Sequence, residues 1–219
     1  MPARDEEATV AGLVARIPPS VLGRRVVPVV IDDGSTDGTA SRAHAAGAEV
    51  IRTGGCGLGA AVRIGLGEGV ARGAAVVAFC DADGEYDPRE LERLVEPILT
   101  GKCDYVVGSR FRGTIAHMHT HRRLGNRVLT AALSVLAGTP ITDGQSGYRA
   151  LSAEAAASAE VIHDFNYAQV LTLDLLGKGF RYGEVPISYR FRTTGESFVR
   201  LRPYLRNVVP AVWRELATR

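Results

Sequence analysis

Along the chain, short runs of β-branched and apolar residues alternate with segments in which apolar positions recur every three or four residues. That alternation argues for an α/β domain with a largely parallel sheet. Residues 26–31, 49–52, 75–80 and 104–107 read as strands, and 180–189 alternates as one. Helices are expected over 36–46 and 59–71, so the first half forms two consecutive βαβ units. The next helix has the clearest local signature: Asp87 can cap it, Pro88 suits its first turn and Glu90 completes a capping box. Its apolar face is Leu91, Leu94, Val95 and Ile98, while Leu124, Val128, Ala131 and Val135 give a later helix its apolar stripe. Near the C-terminus Leu201, Tyr204, Leu205, Val208, Val209, Val212, Trp213 and Leu216 keep helical spacing, with Arg200, Arg202, Arg206 and Arg214 elsewhere on the wheel. Such a basic amphipathic helix either packs its stripe on the domain or lies in a membrane surface. With no repeat, low-complexity segment or linker, the expectation is one domain over 1–200 followed by the helix 201–219.

Composition narrows the classes. With 219 residues, 46% hydrophobic and 23% charged, the chain has the balance of a single globular domain, and a net charge of +2 is too small for a surface built to bind nucleic acid. Cys56, Cys80 and Cys103 are odd in number and contain no C-x-x-C pair, so neither a disulfide framework nor a zinc site is indicated, and a reducing compartment fits. No apolar run approaches the ~20 residues that span a bilayer, and the opening Met1-Pro2-Ala3-Arg4-Asp5-Glu6-Glu7 is no signal peptide, which points to a soluble or peripheral protein.

Three segments carry candidate chemistry. In Ile31-Asp32-Asp33-Gly34-Ser35-Thr36-Asp37-Gly38-Thr39 a hydrophobic strand ends in carboxylates, and open α/β sheets bind ligands at the carboxyl ends of their strands. Ser35 and Asp37 can serve as helix caps; the Asp32-Asp33 pair is left for a ribose hydroxyl or a base N–H. In Phe79-Cys80-Asp81-Ala82-Asp83-Gly84-Glu85 two carboxylates one residue apart emerge from a buried strand, where they can share a hard divalent cation with a nucleotide diphosphate. Between them, Gly54-Gly55-Cys56-Gly57-Leu58-Gly59-Ala60-Ala61 follows a strand and opens a helix, like a degenerate dinucleotide fingerprint. A carboxylate-bearing strand precedes it, however, and D-x-D exceeds the single ribose acid that a dinucleotide site needs.

In order along nearly the whole chain stand Pro2-Ala3-Arg4-Asp5-Glu6-Glu7-Ala8-Thr9, the Asp32–Thr39 segment, Gly57-Leu58-Gly59-Ala60-Ala61-Val62-Arg63, Asp81-Ala82-Asp83, Gly108-Ser109-Arg110-Phe111, Asp143-Gly144-Gln145-Ser146-Gly147-Tyr148-Arg149-Ala150, Glu184-Val185-Pro186-Ile187 and Arg192-Thr193-Thr194-Gly195-Glu196-Ser197. This set resembles the family 2 glycosyltransferases of GT-A fold, an α/β/α sandwich with a mostly parallel mixed sheet. Within that family it resembles the dolichol-phosphate and polyprenyl-phosphate mannosyl- and glucosyltransferase branch. The Q-x-x-R-W signature of processive synthases is absent, and the only tryptophan is Trp213.

The resemblance implies inverting transfer of a sugar from a GDP-mannose or UDP-glucose type donor to a polyprenyl or dolichyl phosphate, at the cytoplasmic face of a membrane. It implies a Mg²⁺ or Mn²⁺ cofactor held by Asp83 and Glu85, donor contacts from Pro2, Asp5, Glu6, Asp32, Asp33 and Asp81, and acceptor-phosphate contacts from Arg110, Arg122, Arg123, Arg192 and Ser197. An acceptor phosphate is largely ionised near neutral pH, its second pKa being about 6, and needs no strong base; for a sugar hydroxyl acceptor Asp143 is the candidate. A membrane-anchoring partner protein fits the same picture. His117, His119 and His121 are unexplained by the family pattern; alternation would put them on one face of an extended segment, as a transition-metal site or an acceptor-phosphate contact, or with no direct role. Two departures stand out: Met1 sits where the family's first strand should end, so that strand is expected to be missing, and Asp5 replaces an Asn. These open one alternative, a catalytically weak nucleotide-sugar-binding subunit; the other alternative is a transferase acting on a soluble sugar acceptor.

Overall fold

The computed structural model describes residues 1–116, 118, 120–161 and 167–190, with only the backbone of His121 and Arg122. The expected helix 201–216, the residues Arg192 and Ser197, and the imidazoles of His117, His119 and His121 therefore lie outside the described residues.

The chain opens with β1 (Pro2–Ala3), α1 (Val10–Val14) and a small hairpin of β2 (Ser20–Val21) and β3 (Arg24–Arg25). It continues through β4 (Val29–Asp32), α2 (Thr39–Ala45), β5 (Glu49–Arg52), α3 (Leu58–Ala71) and β6 (Val76–Phe79). The expected order of strands and helices is present, with boundaries moved by up to three residues; β4-α2-β5 is a parallel βαβ unit, whereas β6, expected to complete a second, pairs instead in another sheet with β8. Strands β1, β4 and β5 form a parallel sheet in that order, Pro2 opposite Ile31 and Ala3 opposite Asp32. The strand expected to be missing is thus represented by β1, and the Met1 amino group donates to the Val29 carbonyl at 2.8 Å. Two residues suffice to pair because the hydrogen bonds from Ile31 to Met1 and from Asp33 to Ala3 complete the parallel ladder.

A second sheet has the order β6, β8 (Arg149–Ser152), β7 (Tyr105–Ile115), β9 (Tyr182–Tyr189), with β8 antiparallel to both neighbours and β7 parallel to β9. Strand β7 runs well past the expected end at 107. Ser109 and Arg110 are buried on it, so the polar letters that seemed to end the strand conceal inward positions. The remaining helices are α4 (Leu91–Leu99), α5 (Thr120–Ala137), α6 (Ala153–Ser158) and α7 (Ala168–Gly177). Asp87 accepts from the Arg89 backbone N–H as a cap should, ahead of a single 3-10 turn over Pro88–Glu90. Glu90 closes no capping box; its carboxylate accepts from the Ser188 N–H at 2.8 Å and the Ser188 hydroxyl at 3.2 Å, tying this turn to β9.

Helix α5 departs most from expectation. The residues it buries are Thr130 and Leu133, whereas Leu124, Val128 and Val135 of the anticipated stripe are 65%, 62% and 81% exposed. The helix meets the domain through its small and polar side: Thr130 accepts from the Gly144 N–H, and the Ser134 hydroxyl bridges the Thr139 carbonyl and the Ile141 N–H. Leu133 joins Ile141 and Leu173 beneath it. Leu133→Ala is accordingly expected to cost about 2–5 kcal/mol in denaturant unfolding, and Val135→Ser less than about 0.5 kcal/mol. The reverse order would restore the stripe to the core.

Candidate functional site

The carboxyl ends of β4 and β6 carry the first two motifs. Gly34 turns the chain after β4 with φ +76°, and a Cβ there would lie 2.9 Å from the Gly55 backbone nitrogen, so the two strand-end turns approach as closely as glycine permits. Asp32 and Asp33 are buried at this junction. Asp32 accepts from the Ser35 N–H at 3.1 Å and pairs with Arg52 at 3.1 Å. Asp33 accepts from the Thr53 hydroxyl at 2.6 Å and from the backbone N–H groups of Cys56 and Gly57 at 2.7 and 2.9 Å. Burial alone would raise the Asp33 pKa, but these donors outweigh it and hold the carboxyl below its ordinary value. Of the aspartate pair expected to face a nucleotide, Asp33 fastens the glycine loop that opens α3, while Asp32 ties the turn after β4 to Arg52.

The segment after β1 packs on the 35–39 turn that follows β4. Asp5 adopts φ +53°, a left-handed conformation that Asn and Asp tolerate better than most residues. Its carboxylate accepts from the Thr36 N–H at 2.8 Å while its own N–H donates to the Ser35 hydroxyl. The Glu6 N–H donates to Thr39, and Thr9 donates to the Ala82 carbonyl at 2.6 Å, bridging the 1–9 segment to the Asp81–Glu85 turn. Pro2, Asp5, Glu6, Asp32 and Asp33 are thus gathered around one turn, with Asp37 accepting from the Thr39 N–H at 2.9 Å as a cap.

Beyond β6 the Asp81-Ala82-Asp83-Gly84-Glu85 turn forms the acidic centre. Asp81 is shut away from solvent at Oδ1, and that oxygen has no hydrogen-bond partner. Burial pushes its pKa up, the charges of Asp83 and Glu85 push it further, and Arg149 and Arg110 oppose them. Asp83 Oδ1 accepts from the Glu85 N–H at 3.0 Å. Among the described residues no three His, Cys, Asp or Glu side chains form a metal cluster. An orphaned buried carboxylate oxygen beside two further carboxylates nevertheless fits a hard cation whose shell is completed by phosphate oxygens and water, the usual pattern for Mg²⁺. Asp83 and Glu85 are the side chains that would hold it.

Facing this turn is the segment between α5 and β8. Gly147 sits against Asp81 so tightly that a Cβ would fall 2.1 Å from Asp81 Oδ2, and its N–H donates to the Tyr86 hydroxyl at 2.8 Å. Arg110, expected at an acceptor phosphate, is buried with its Nε 2.7 Å from Asp143 Oδ2 and an amino nitrogen 2.8 Å from Oδ1. Asp143 also accepts from the Arg110 backbone N–H at 3.0 Å, so both groups are engaged with each other. Glu184 on β9 then accepts from the N–H groups of Thr142 and Asp143 at 2.8 and 3.1 Å. Arg149, wholly buried, donates to the carbonyls of Ser146, Gly144 and Ala168 and lies over the rings of Tyr105 and Tyr167. Arg123 is exposed in the first turn of α5. Glu184, Gly147 and Arg149 all stand in the motifs quoted for the resemblance, but nothing in their spacing distinguishes them as supports of the site.

Two substitutions test this geometry. Arg110→Ala strands the buried Asp143 carboxylate and is expected to cost about 3–5 kcal/mol in denaturant unfolding; a loss under about 1 kcal/mol, the value of a surface pair, would contradict the buried pairing. Gly147→Ala forces the Asp81 carboxylate aside, with an overpacking cost of about 1–3 kcal/mol. Nucleotide affinity should fall with it while the circular dichroism spectrum is retained, and unchanged affinity would separate Gly147 from the site.

The protein's relatives can now be set beside this arrangement. Residues 1–158 match Glycosyl transferase family 2. The chain is 35% identical over 197 residues to an undecaprenyl-phosphate mannosyltransferase of Micrococcus luteus, covering 82% of this chain and 80% of that protein. It is 32% identical over 169 residues to glycosyltransferase AglJ of Haloferax volcanii, covering 76% of this chain and 55% of the relative, so it spans only about half of that protein. Among solved structures, glucosyl-3-phosphoglycerate synthase from Mycobacterium tuberculosis, in complex with Mn²⁺, uridine diphosphate and glucosyl-3-phosphoglycerate, superposes with a TM-score of 0.77 at 26% identity, over 99% of this chain and 78% of that one. A GT-A architecture, an acidic turn at the end of β6 and a family match over most of the chain converge: the protein belongs to the family 2 glycosyltransferases.

Proposed function

We propose that the protein transfers a sugar, with inversion, from a nucleotide-sugar of the GDP-mannose or UDP-glucose type to a polyprenyl or dolichyl phosphate, and that the transfer depends on Mg²⁺ or Mn²⁺. The observation that carries the reading is the Asp81-Ala82-Asp83-Gly84-Glu85 turn, where a buried carboxylate oxygen without a partner stands beside two further carboxylates at a strand's carboxyl end. The Micrococcus luteus relative, by its name, acts on undecaprenyl phosphate, which supports the lipid acceptor.

Each residue then has a task. Asp81 and the 2–6 and 32–33 segments line the nucleoside side of the donor. Asp83 and Glu85 hold the cation, which when bound neutralises charge on the departing diphosphate. Arg110 acts through Asp143 rather than on the phosphate itself: it fixes that buried carboxylate, the candidate base for a hydroxyl acceptor. Exposed Arg123, with Arg122, Arg192 and Ser197 from outside the described side chains, receives the acceptor phosphate, for which the planar guanidinium fork is suited. Localisation follows from the acceptor, since a polyprenyl chain stays in its bilayer; no helix among the described residues is long and apolar enough to cross a membrane, so a peripheral approach is the reading.

A soluble phosphorylated acceptor is the second reading, supported by the structural neighbour solved with glucosyl-3-phosphoglycerate. Purified protein incubated with a panel of nucleotide sugars, Mg²⁺ or Mn²⁺ and either a polyprenyl phosphate or phosphoglycerate separates the two by product mass. A glycolipid is expected, whereas product from phosphoglycerate alone would favour the second reading. In the same assay Asp83→Ala should reduce transfer by at least about a thousandfold, roughly 4 kcal/mol of transition-state stabilisation, while weakening free-nucleotide binding far less. Undiminished turnover in excess chelator would remove the metal from the scheme. Arg123→Ala should raise KM for polyprenyl phosphate and leave KM for the nucleotide sugar unchanged; equal effects on both would assign Arg123 a structural role.

A further inference from the structure

Strand β9 ends against the acidic turn. Its last residue, Tyr189, is buried and forms an antiparallel bridge with Tyr86, the residue after Glu85. The Arg190 N–H donates to the Glu85 carbonyl at 3.0 Å, and Ser188 is tied to the Glu90 carboxylate. Between these ties the Tyr189 hydroxyl is hydrogen-bonded to the Glu85 carboxylate. Burial first, and then the charge of Glu85, holds the Tyr189 pKa well above its ordinary value, so the phenol keeps its proton and is the donor. Its ring is fixed by two neighbours. Tyr86 meets it edge-on with centroids 6.0 Å apart, and the Arg110 guanidinium lies 5.1 Å from its centroid.

We propose that Tyr189 is a positioning residue for the divalent cation: its hydroxyl aims the Glu85 carboxylate at the ion and so sets how tightly Asp83 and Glu85 hold it. The proposal rests on the reading of those two side chains as the ion's holders. Three carboxylates crowd this turn, and the charges of Asp83 and Glu85 both bear on Asp81. Their repulsion would turn Glu85 outward to water unless a donor restrained it. The kind of donor matters. An arginine or lysine would neutralise the carboxylate and compete with the ion, whereas a neutral phenol fixes its orientation and leaves its charge for ligation. Outer partners of this sort are what orient metal-ligating carboxylates. Because Arg110 lies over the same ring, its pairing with Asp143 also steadies the group that steers Glu85.

The experiment measures, by calorimetry on the full chain, the affinity for GDP and for UDP over a series of Mn²⁺ concentrations. It compares wild type, Tyr189→Phe, Glu85→Ala and the variant carrying both changes. Phenylalanine keeps the ring and removes only the hydroxyl. Tyr189→Phe is expected to bind nucleotide as wild type does without the ion, while the Mn²⁺ concentration that gives half of the strengthening rises at least about tenfold, the usual effect of losing an outer-shell partner. In the Glu85→Ala background the same change should add nothing, because the hydroxyl acts through that carboxylate. Wild-type Mn²⁺ dependence in Tyr189→Phe, alongside a loss in Glu85→Ala, would overturn the proposal and leave the cation reading standing. A further loss in the double variant, or equal weakening of metal-free and metal-dependent binding, would also overturn it, since the hydroxyl would then serve only the fold. If Mn²⁺ strengthens nucleotide binding in none of the four proteins, the cation reading itself falls, and the proposal with it.

Discussion

The buried pair of Arg110 and Asp143 is the constraint from which the site follows. Two opposite charges removed from water are tolerable only together, since losing either partner leaves the other desolvated and unpaired. Strand β7 and the segment leading into β8 must therefore meet in one register, fixed by two side-chain hydrogen bonds and one from the Arg110 backbone. Glu184 secures the same segment from β9 through Thr142 and Asp143. Four residues beyond Asp143, Gly147 is brought against Asp81, so the position of the acidic turn depends on a salt bridge that never touches it.

Charge balance around that turn has a direction. Asp81, Asp83 and Glu85 repel one another in a partly dehydrated setting, and the cations opposing them on Asp81 are Arg149 and Arg110, both buried and both held by other groups. Arg149 donates to carbonyl oxygens and lies over aromatic faces rather than pairing with a carboxylate, so its field remains available to the acidic turn. Such a centre favours a mobile cation and the anionic diphosphate that arrives with it. On the opposite side of the Asp143 segment, α5 presents Arg123, Arg127 and the apolar residues Leu124, Val128 and Val135 outward.

Much of this was legible before any coordinates. The alternation of strands and helices from β4 to β6 follows from runs whose periods, two and 3.6, are set by backbone geometry, though not the sheet that β6 joins, and carboxylates at strand ends announce themselves because a buried strand gives no other reason for them. What stayed hidden was tertiary. Asp32 and Asp33 read as ligand-facing, yet their oxygens are engaged by Ser35, Arg52, Thr53, Cys56 and Gly57, partners brought in from the neighbouring strand end and its loop. Arg110 read as an acceptor-phosphate contact, and a sequence does not show that Asp143, thirty-three positions on, closes upon it. Periodicity identified α5 but could not say which face packs, and Thr130, Ser134 and Leu133 proved to be the inward side. The first strand, read as missing from its position at the chain's start, needed only Pro2 and Ala3 to pair with β4.

The central claim, that the Asp81–Glu85 turn receives a cation together with a nucleotide diphosphate, is tested most directly by calorimetric titration of the protein with a nucleoside diphosphate in the presence and absence of Mn²⁺. The account predicts that Mn²⁺ strengthens binding to the wild type at least tenfold and that Asp83→Ala with Glu85→Ala removes this enhancement while residual metal-free binding survives. Equal affinity with and without the ion, or an enhancement that persists in the double variant, would contradict it.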